Sequence, residues 1–106
     1  FLAAVSNDGS VEGARILQQE TNAALLSPPV PEVDSKQFVY WYGSERAGRQ
    51  VVGHNGGESG VATEMFFSPE SGVGVIVLMN ADWEDAVGQA AGEIQTLLFD
   101  RAESLE

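Results

Sequence analysis

The chain has 106 residues, of which 16 are Asp or Glu and 5 are Lys or Arg, so its formal charge is −11 at pH 7. One domain fits this length, and the charge argues against nucleic acid or an anionic membrane as a partner, because binding either one begins with cations that neutralise phosphates. The absence of cysteine excludes disulfides and thiolate metal sites, while 43% hydrophobic residues are enough for a globular core.

Residues 1–31 are predicted to form a helical and turn segment that ends in a Pro-rich linker. Residues 7–10 have the Asn-Asp-Gly-Ser composition of a turn. Residues 18–26 are predicted as a short helix, with Ala23, Leu25 and Leu26 available for burial. Three prolines in residues 27–31 oppose helix and favour an extended backbone.

Residues 32–106 are predicted to form an antiparallel sheet and a C-terminal helix. The predicted strands are residues 38–42, 50–54, 61–68 and 73–79. A hairpin loop is expected at 44–49 and a Pro- and Gly-containing turn at 68–72. The aromatic and β-branched segment 38–42 indicates a strand covered on both faces, and the apolar run 73–79 indicates a central strand.

A helix is predicted to follow the last strand, with Asp82 as its N-terminal cap. Its apolar positions are spaced for one face; they are Trp83, Val87, Ala90, Ala91, Ile94, Leu97 and Leu98. Gly88 and Gly92 are four residues apart, which suggests a close approach of helix to sheet. The fold class is therefore α+β: an antiparallel meander of about four strands, a C-terminal helix packed on it, and a short helix before it.

Familiar catalytic motifs are absent from the sequence. It contains no Ser-x-x-Lys, no Gly-x-Ser-x-Gly elbow and no phosphate-binding loop. His54 is the single histidine, and one imidazole with acids such as Glu58 or Glu64 is a poor zinc set. A carboxylate pair of the glycosidase type cannot be selected from sixteen acids. We therefore predict no metal and no cofactor.

Residues 51–60 combine an apolar strand with a polar, glycine-rich end. One interpretation is a hairpin loop with His54 on the surface. The other is that Gly56 and Gly57 let a substrate approach the backbone, whose N–H groups stabilise developing negative charge.

These residues resemble the C-terminal part of the serine β-lactamase and penicillin-binding-protein-like hydrolases, which include D-alanyl-D-alanine carboxypeptidases and esterases. The resemblance is carried by Tyr42-Gly43, by residues 51–57 with the sequence VVGHNGG, and by residues 66–80 with the sequence FFSPESGVGVIVLMN. Residues 11–17 and Glu20-Thr21 are similar to the stretch that precedes the final strands in that family. The likeness covers nearly the whole chain.

The resemblance implies acyl transfer, in which a Ser of Ser-x-x-Lys attacks a carbonyl while the Lys and the Tyr of Tyr-x-Asn move protons. This chain contains neither motif, so we expect it to be inactive alone. The catalytic contributions implied here are His54, facing the substrate or the proton network, and Gly57, whose N–H supplies half of the oxyanion hole. The implied substrate contacts are Asn55 and Gly56. Since His54 replaces a Lys, recognition of a substrate carboxylate weakens, which keeps esterase-like activity open.

Three hypotheses follow. In the first, the chain is the C-terminal part of such a hydrolase, and its partner is the missing N-terminal part of the same fold. The parent protein is then expected to act on a small-molecule or peptidoglycan-like substrate and to be exported or associated with the cell envelope. Alternatively the chain is a non-catalytic binding module of the same fold, or an unrelated small α+β domain. The start at Phe1, without a Met, is expected for a cut chain, whose open sheet edge favours self-association. One Lys among many acids is typical of a salt-adapted surface.

Overall fold

The computed structural model describes residues 1–105 and has an α+β fold. Its elements in chain order are α1 (Leu2–Ser6), β1 (Ser10–Val11), β2 (Ala14–Arg15), α2 (Gln19–Leu25), β3 (Tyr42–Arg46), β4 (Arg49–Glu58), β5 (Val61–Phe67), β6 (Gly74–Met79) and α3 (Asp85–Glu103). Strands β3 to β6 form one antiparallel sheet in the order β3-β4-β5-β6, and β1 and β2 form a separate small hairpin. No helix within residues 1–105 combines the length and the apolar character that crossing a bilayer requires.

The sheet has a hydrophobic cluster on each face because side chains alternate along its strands. On one face, the Phe99 ring of α3 is buried against the sheet in a cluster with Val51, Phe66, Val75 and Val77. On the other face, α1 contributes Leu2 and Val5 to a cluster with Val52 and Phe67. The sheet is therefore the middle layer, with α3 on one face and α1 on the other.

Several predicted elements are confirmed. The short helix predicted at 18–26 is α2, and the strand predicted at 61–68 is β5, whose two faces alternate as expected. The turn at 68–72 forms with Gly72 at φ 73°, a conformation that glycine adopts without strain. The turn at 7–10 is also present, with Asp8 and Gly9 at positive φ.

The strand predicted at 38–42 is wrong, since β3 begins only at Tyr42. Residues 38–41 form a turn in which the Phe38 N–H donates to the Trp41 carbonyl at 2.9 Å. The Trp41 ring packs edge-on against Phe1 and Phe67, with centroids 6.0 and 6.2 Å away. The aromatic residues of this segment therefore fill the α1 side of the core from a turn, and Tyr40 is exposed.

The hairpin between the first two strands of the sheet is tighter than predicted. The turn consists of Ala47 and Gly48, both at positive φ, and replaces the loop predicted at 44–49. Two-residue turns of this kind match the twist of the strands that they join. Strand β4 consequently starts at Arg49 and runs to Glu58, well beyond the predicted strand at 50–54.

The apolar run predicted as a central strand is the edge strand β6. Val75 and Val77 are buried on the α3 side, but Ile76 and Leu78, on the other side, are 51% and 74% exposed. The prediction fails because α1 is short and covers only part of that face.

The C-terminal helix begins at Asp85, not at Asp82. Asp82 instead accepts a hydrogen bond from the Gly60 N–H at 2.6 Å. The buried helical positions are Ala91, Gln95 and Phe99. Of the predicted stripe, Ile94, Leu97 and Leu98 are exposed.

Contacts at the C-terminal end of α3 explain its orientation. Arg49 binds Asp100 and Glu103, which fixes the helix with Phe99 toward the sheet. The close approach expected at Gly88 and Gly92 is absent, because a Cβ added at either position meets no atom within 4 Å.

Candidate functional site

The candidate site is the part of β4 that extends past β3. The last residue pair between these strands is Tyr42 with Gly53, whereas β4 stays paired with β5 as far as Glu58. Among residues 1–105, the segment from His54 to Glu58 therefore has a strand neighbour on one side only. We call this unpaired side the open edge of β4.

The register determines which backbone groups point to the open edge. The turn at Ala47 and Gly48 makes Arg46 and Arg49 the closing hydrogen-bonded pair of the hairpin. Since hydrogen-bonded positions alternate along an antiparallel strand, every second residue after Arg49 directs its N–H and C=O toward the β3 side. Beyond the end of β3, these residues are Asn55 and Gly57. Their N–H groups therefore face the open edge.

The glycine-rich segment belongs to a strand and not to a loop. The hairpin-loop interpretation is wrong for this segment, because Asn55, Gly56 and Gly57 pair with Glu64, Thr63 and Ala62 of β5. A strand holds its backbone more rigidly than a loop does, because one ladder of hydrogen bonds fixes its direction. The N–H of Gly57 is thereby held in a fixed orientation.

His54, Tyr42 and Asn55 form a polar cluster at the open edge. The Tyr42 hydroxyl donates to Asn55 Oδ1 at 3.1 Å. The His54 and Tyr42 rings meet edge-on, with centroids 5.6 Å apart, and His54 Nδ1 contacts the Asn55 carbonyl. His54 and Asn55 are exposed. His54 thus lies at an exposed sheet edge, where the hydrolase hypothesis and the surface-His interpretation both expect it.

Gly57 is packed against Trp83. A Cβ added at Gly57 lies 2.6 Å from Trp83 Nε1, and this indole nitrogen donates to the Gly56 carbonyl at 2.9 Å. On its own side, Gly56 has Thr63 Oγ1 3.0 Å from an added Cβ. Both glycines thus have a packing role that the sequence interpretation did not include.

Glu64 is a buried carboxyl beside this segment. It is 6% exposed and lies directly across from Asn55. Burial raises the pKa of Glu64 above its ordinary value, and Arg46, with Nη2 at 3.6 Å, opposes this rise. The Arg46 guanidinium also lies 5.0 Å from the centre of the Phe66 ring. The site is therefore backed by a carboxyl that gains a proton more easily than an exposed one.

Sequence reasoning missed two contributors to the site. The sequence places Tyr42 at the end of the predicted strand 38–42 and Trp83 in the apolar stripe of the helix, yet both contact β4. One signal for Trp83 was available: it follows the end of β6 by four residues, too few for the chain to leave that end of the sheet.

The described residues hold no nucleophile in contact with the histidine. The hydrogen bond formed by the His54 ring is to the Asn55 carbonyl, and no hydroxyl within residues 1–105 hydrogen-bonds to the ring. The same residues include no group of three His, Asp or Glu side chains placed to hold a metal ion. Within residues 1–105, the site thus offers backbone N–H donors and polar side chains at the open edge of β4, and no nucleophile beside them.

Comparisons with protein-family models, with curated proteins and with solved structures found no match for this chain.

Proposed function

We propose that this chain supplies the substrate-side strand and one oxyanion-hole donor of a β-lactamase-like serine hydrolase. The observation that carries the proposal is the open edge of β4. There the N–H of Gly57 points outward in the plane of the sheet, and the hydrogen bonds between β4 and β5 fix its orientation. A preorganised backbone donor of this kind stabilises the oxyanion that forms when a nucleophile attacks a carbonyl. The nucleophilic Ser and its Lys come from another part of the same fold.

The polar cluster and the two glycines beside it each have a role in this reaction. As the Ser hydroxyl gives its proton to the Lys and its oxygen bonds to the carbonyl carbon, the carbonyl π electrons move to the carbonyl oxygen, whose negative charge is stabilised by the Gly57 N–H and the N–H of the Ser. His54, at the open edge beside Tyr42, hydrogen-bonds to the substrate or to the proton network. Asn55 offers its side-chain amide, which Tyr42 orients through its hydroxyl, and Gly56 leaves the strand without a side chain on its own face.

An uncharged ester is the substrate class that this chemistry favours. A lysine at this position would present a permanently charged ammonium to a substrate carboxylate, and this chain has His54 there instead. The site therefore offers little attraction to a substrate carboxylate, and the net charge of −11 opposes anions further. We expect hydrolysis of small neutral esters to exceed hydrolysis of β-lactams or of peptides that end in a carboxylate.

The second candidate function is a non-catalytic binding module. The open edge of β4 favours it as well, because an extended peptide can add to an unpaired strand through main-chain hydrogen bonds. The two candidates differ in one requirement: only the hydrolase needs a Ser-x-x-Lys motif in the same gene product.

The test begins with the complete reading frame that encodes this chain. The hydrolase proposal requires Ser-x-x-Lys and Tyr-x-Asn in its product, which should hydrolyse p-nitrophenyl acetate and react with fluorescent penicillin at the motif serine. The 106-residue chain alone should not be labelled. A stoichiometric adduct on this chain alone, or a reading frame without both motifs, contradicts the hydrolase.

Two variants of the complete product isolate the Gly57 donor. Gly57→Ala and Gly57→Pro both place a Cβ against Trp83, but only proline removes the N–H. Loss of one oxyanion donor typically lowers kcat by about 10²–10³, so the proline variant should fall below the alanine variant by that factor. Equal kcat values for the two variants would exclude Gly57 as the donor.

A further inference from the structure

The outer side of α3 carries an apolar stripe that the sheet does not cover. The helix packs on the sheet through Ala91, Gln95 and Phe99. Ile94, which precedes Gln95 in the chain, points about 100° away from it around the helix axis. The exposed apolar residues of the helix are Ile94, Leu97 and Leu98, and Leu97 is 69% exposed. Within residues 1–105, α3 therefore has one apolar face on the sheet and a second that is uncovered.

The uncovered face has the spacing of a coiled-coil seam. Its positions follow one another at alternating steps of three and four residues, as the a and d positions of a heptad do. They are Val87, Ala90, Ile94, Leu97, Arg101 and the C-cap residue Ser104. We call these six residues the α3 seam. Such a seam fits a second helix that lies alongside, because the 3.5-residue repeat keeps it facing the other helix over several turns.

The charges beside the seam are arranged symmetrically about Leu97. Arg101 is the only cation in the sequence of α3, and it follows Leu97 by four residues. Glu93 precedes Leu97 by four residues and accepts a hydrogen bond from the neutral Gln89 amide. Both charged residues are exposed, and neither forms an ion pair within residues 1–105. Two antiparallel copies of α3 that meet near Leu97 therefore bring Arg101 of each copy to Glu93 of the other.

The sizes of the seam residues fit the same antiparallel arrangement. Ile94 of each copy then packs against Leu97 of the other, and Arg101 lies opposite Ala90. The small Ala90 leaves room for the long Arg101 side chain, whose guanidinium reaches the neighbouring Glu93. In a parallel pair, the two Arg101 side chains would face each other and repel. Charge and size therefore both select the antiparallel pair.

We propose that the α3 seam binds α3 of a second copy of this chain in an antiparallel helix pair, with Ile94 and Leu97 at its centre and Arg101 of each copy bound to Glu93 of the other. A two-fold interface is self-complementary, so each of these contacts forms twice. The seam shares no residue with β4 or with the edge strand β6. The pairing is therefore independent of the proposed hydrolase function.

The experiment uses the absence of cysteine from the chain, since introduced cysteines then report which positions meet. An isotope-labelled Ile94→Cys chain is mixed with an unlabelled Leu97→Cys chain and oxidised. Positions that face each other across the pair are within reach of a disulfide, so mass spectrometry should find more mixed dimers than random pairing gives. Thr96→Cys is the matched control, because Thr96 is exposed on α3 outside the seam, and it should remain monomeric.

The opposite results are equally clear. A preference for disulfides between identical positions would show a parallel pair and overturn the proposal. Seam cysteines that cross-link no more than Thr96→Cys would also overturn it, and would leave the seam to a helix of a different protein.

A charge exchange tests the ion pair. Arg101→Glu should weaken the dimer about tenfold, because attraction to Glu93 becomes repulsion at both ends of the pair. Adding Glu93→Arg to the same chain should restore the dimer. Both are followed by sedimentation in an Ile76→Lys background, which opposes pairing along β6, with circular dichroism to confirm the fold. A dimer that Arg101→Glu leaves unchanged, or that the exchange does not restore, would reject the proposed pairing.

Discussion

Gly57 is the residue at which packing and the proposed chemistry coincide. The Trp83 indole occupies the space beside its Cα, and its N–H faces the open edge of β4. A side chain at this position must displace the indole and break the bond from Trp83 Nε1 to the Gly56 carbonyl. We expect Gly57→Ala to destabilise the fold by about 1–3 kcal/mol, as overpacking typically does, measured by chemical denaturation.

A double-mutant cycle tests that explanation. In a Trp83→Ala background the added methyl group has room, so Gly57→Ala should cost much less there than in the native chain. An unchanged cost would mean that the loss arises from the strand backbone and not from the indole.

Glu64 makes stability depend on pH in the direction opposite to most carboxyls. Because burial raises its pKa in the folded state, the native protein binds this proton more tightly than the unfolded chain does. Ionisation of Glu64 therefore lowers the free energy of unfolding as the pH rises from 4.5, the ordinary pKa of a Glu side chain, through the raised pKa of the folded state. Glu64→Gln should be more stable than the native chain at pH 7, and the difference should vanish below about pH 4.

Glu70→Gln is the matched control, since Glu70 is an exposed acid in the next turn. It removes one carboxylate charge without removing a buried group, so the effect of Glu64→Gln is read relative to it at each pH. Should Glu64→Gln be less stable at pH 7 than the native chain, the attraction to Arg46 outweighs the burial of the carboxyl.

At the scale of the elements, prediction succeeded where local pattern and tertiary position agree. Strand β5 is flanked by turn residues and its side chains point alternately to the two faces of the sheet, so its bounds and faces followed from its sequence. The segments at 38–42 and 73–79 are equally apolar, but one is a turn and the other an edge strand. Apolar content indicates that a segment contributes to the core, but it does not show which other element covers it. That depends on tertiary contacts.

The helix α3 shows the same limit. Its sequence stripe and its buried face differ because Arg49, far away in the chain, holds Asp100 and Glu103. A residue pair more than 50 positions apart cannot be found from helical spacing. The candidate site divides in the same way, since His54 to Gly57 are adjacent in sequence whereas Tyr42, Glu64 and Trp83 reach them only in the fold.

Gly88 provides a direct test of the orientation of α3. Since an added Cβ there meets no atom within 4 Å, only intrinsic helix propensity should matter. We expect Gly88→Ala to stabilise the protein by about 1 kcal/mol, measured by thermal or chemical unfolding. A loss of stability would instead support the close helix-to-sheet approach that the sequence suggested.

For the molecule as a whole, β6 is the edge at which we expect self-association. Its outward backbone groups belong by alternation to Gly74, Ile76 and Leu78, and no strand among residues 1–105 covers that side. An exposed apolar edge is a template for pairing with a second copy. Sedimentation should detect dimers, and molar KCl should strengthen them by screening the charge of −11.

Ile76→Lys should weaken this association, because a charged side chain on an edge strand opposes pairing. Val33→Lys is the control: it makes the same substitution at an exposed apolar residue outside the sheet. A chain that stays monomeric at all concentrations and salt levels would show that the edge does not pair.

The two ends of α3 are secured unequally, and this asymmetry sets the order in which the helix opens. At the C-terminal end, Arg49 hydrogen-bonds to Asp100 and Glu103 and thereby holds the pKa of Glu103 below its ordinary value. At the N-terminal end, the side chain of the N-cap residue Glu84 forms no capping hydrogen bond. Fraying should therefore advance from Asp85 toward Phe99, with amide hydrogen exchange fastest in the first turns and slowest beside the Phe99 ring. Protonation of Glu103 at low pH should weaken its bond to Arg49 and make the amide exchange rates at the two ends of α3 more similar. At neutral pH, equal exchange rates along the whole of α3 would contradict this order of opening.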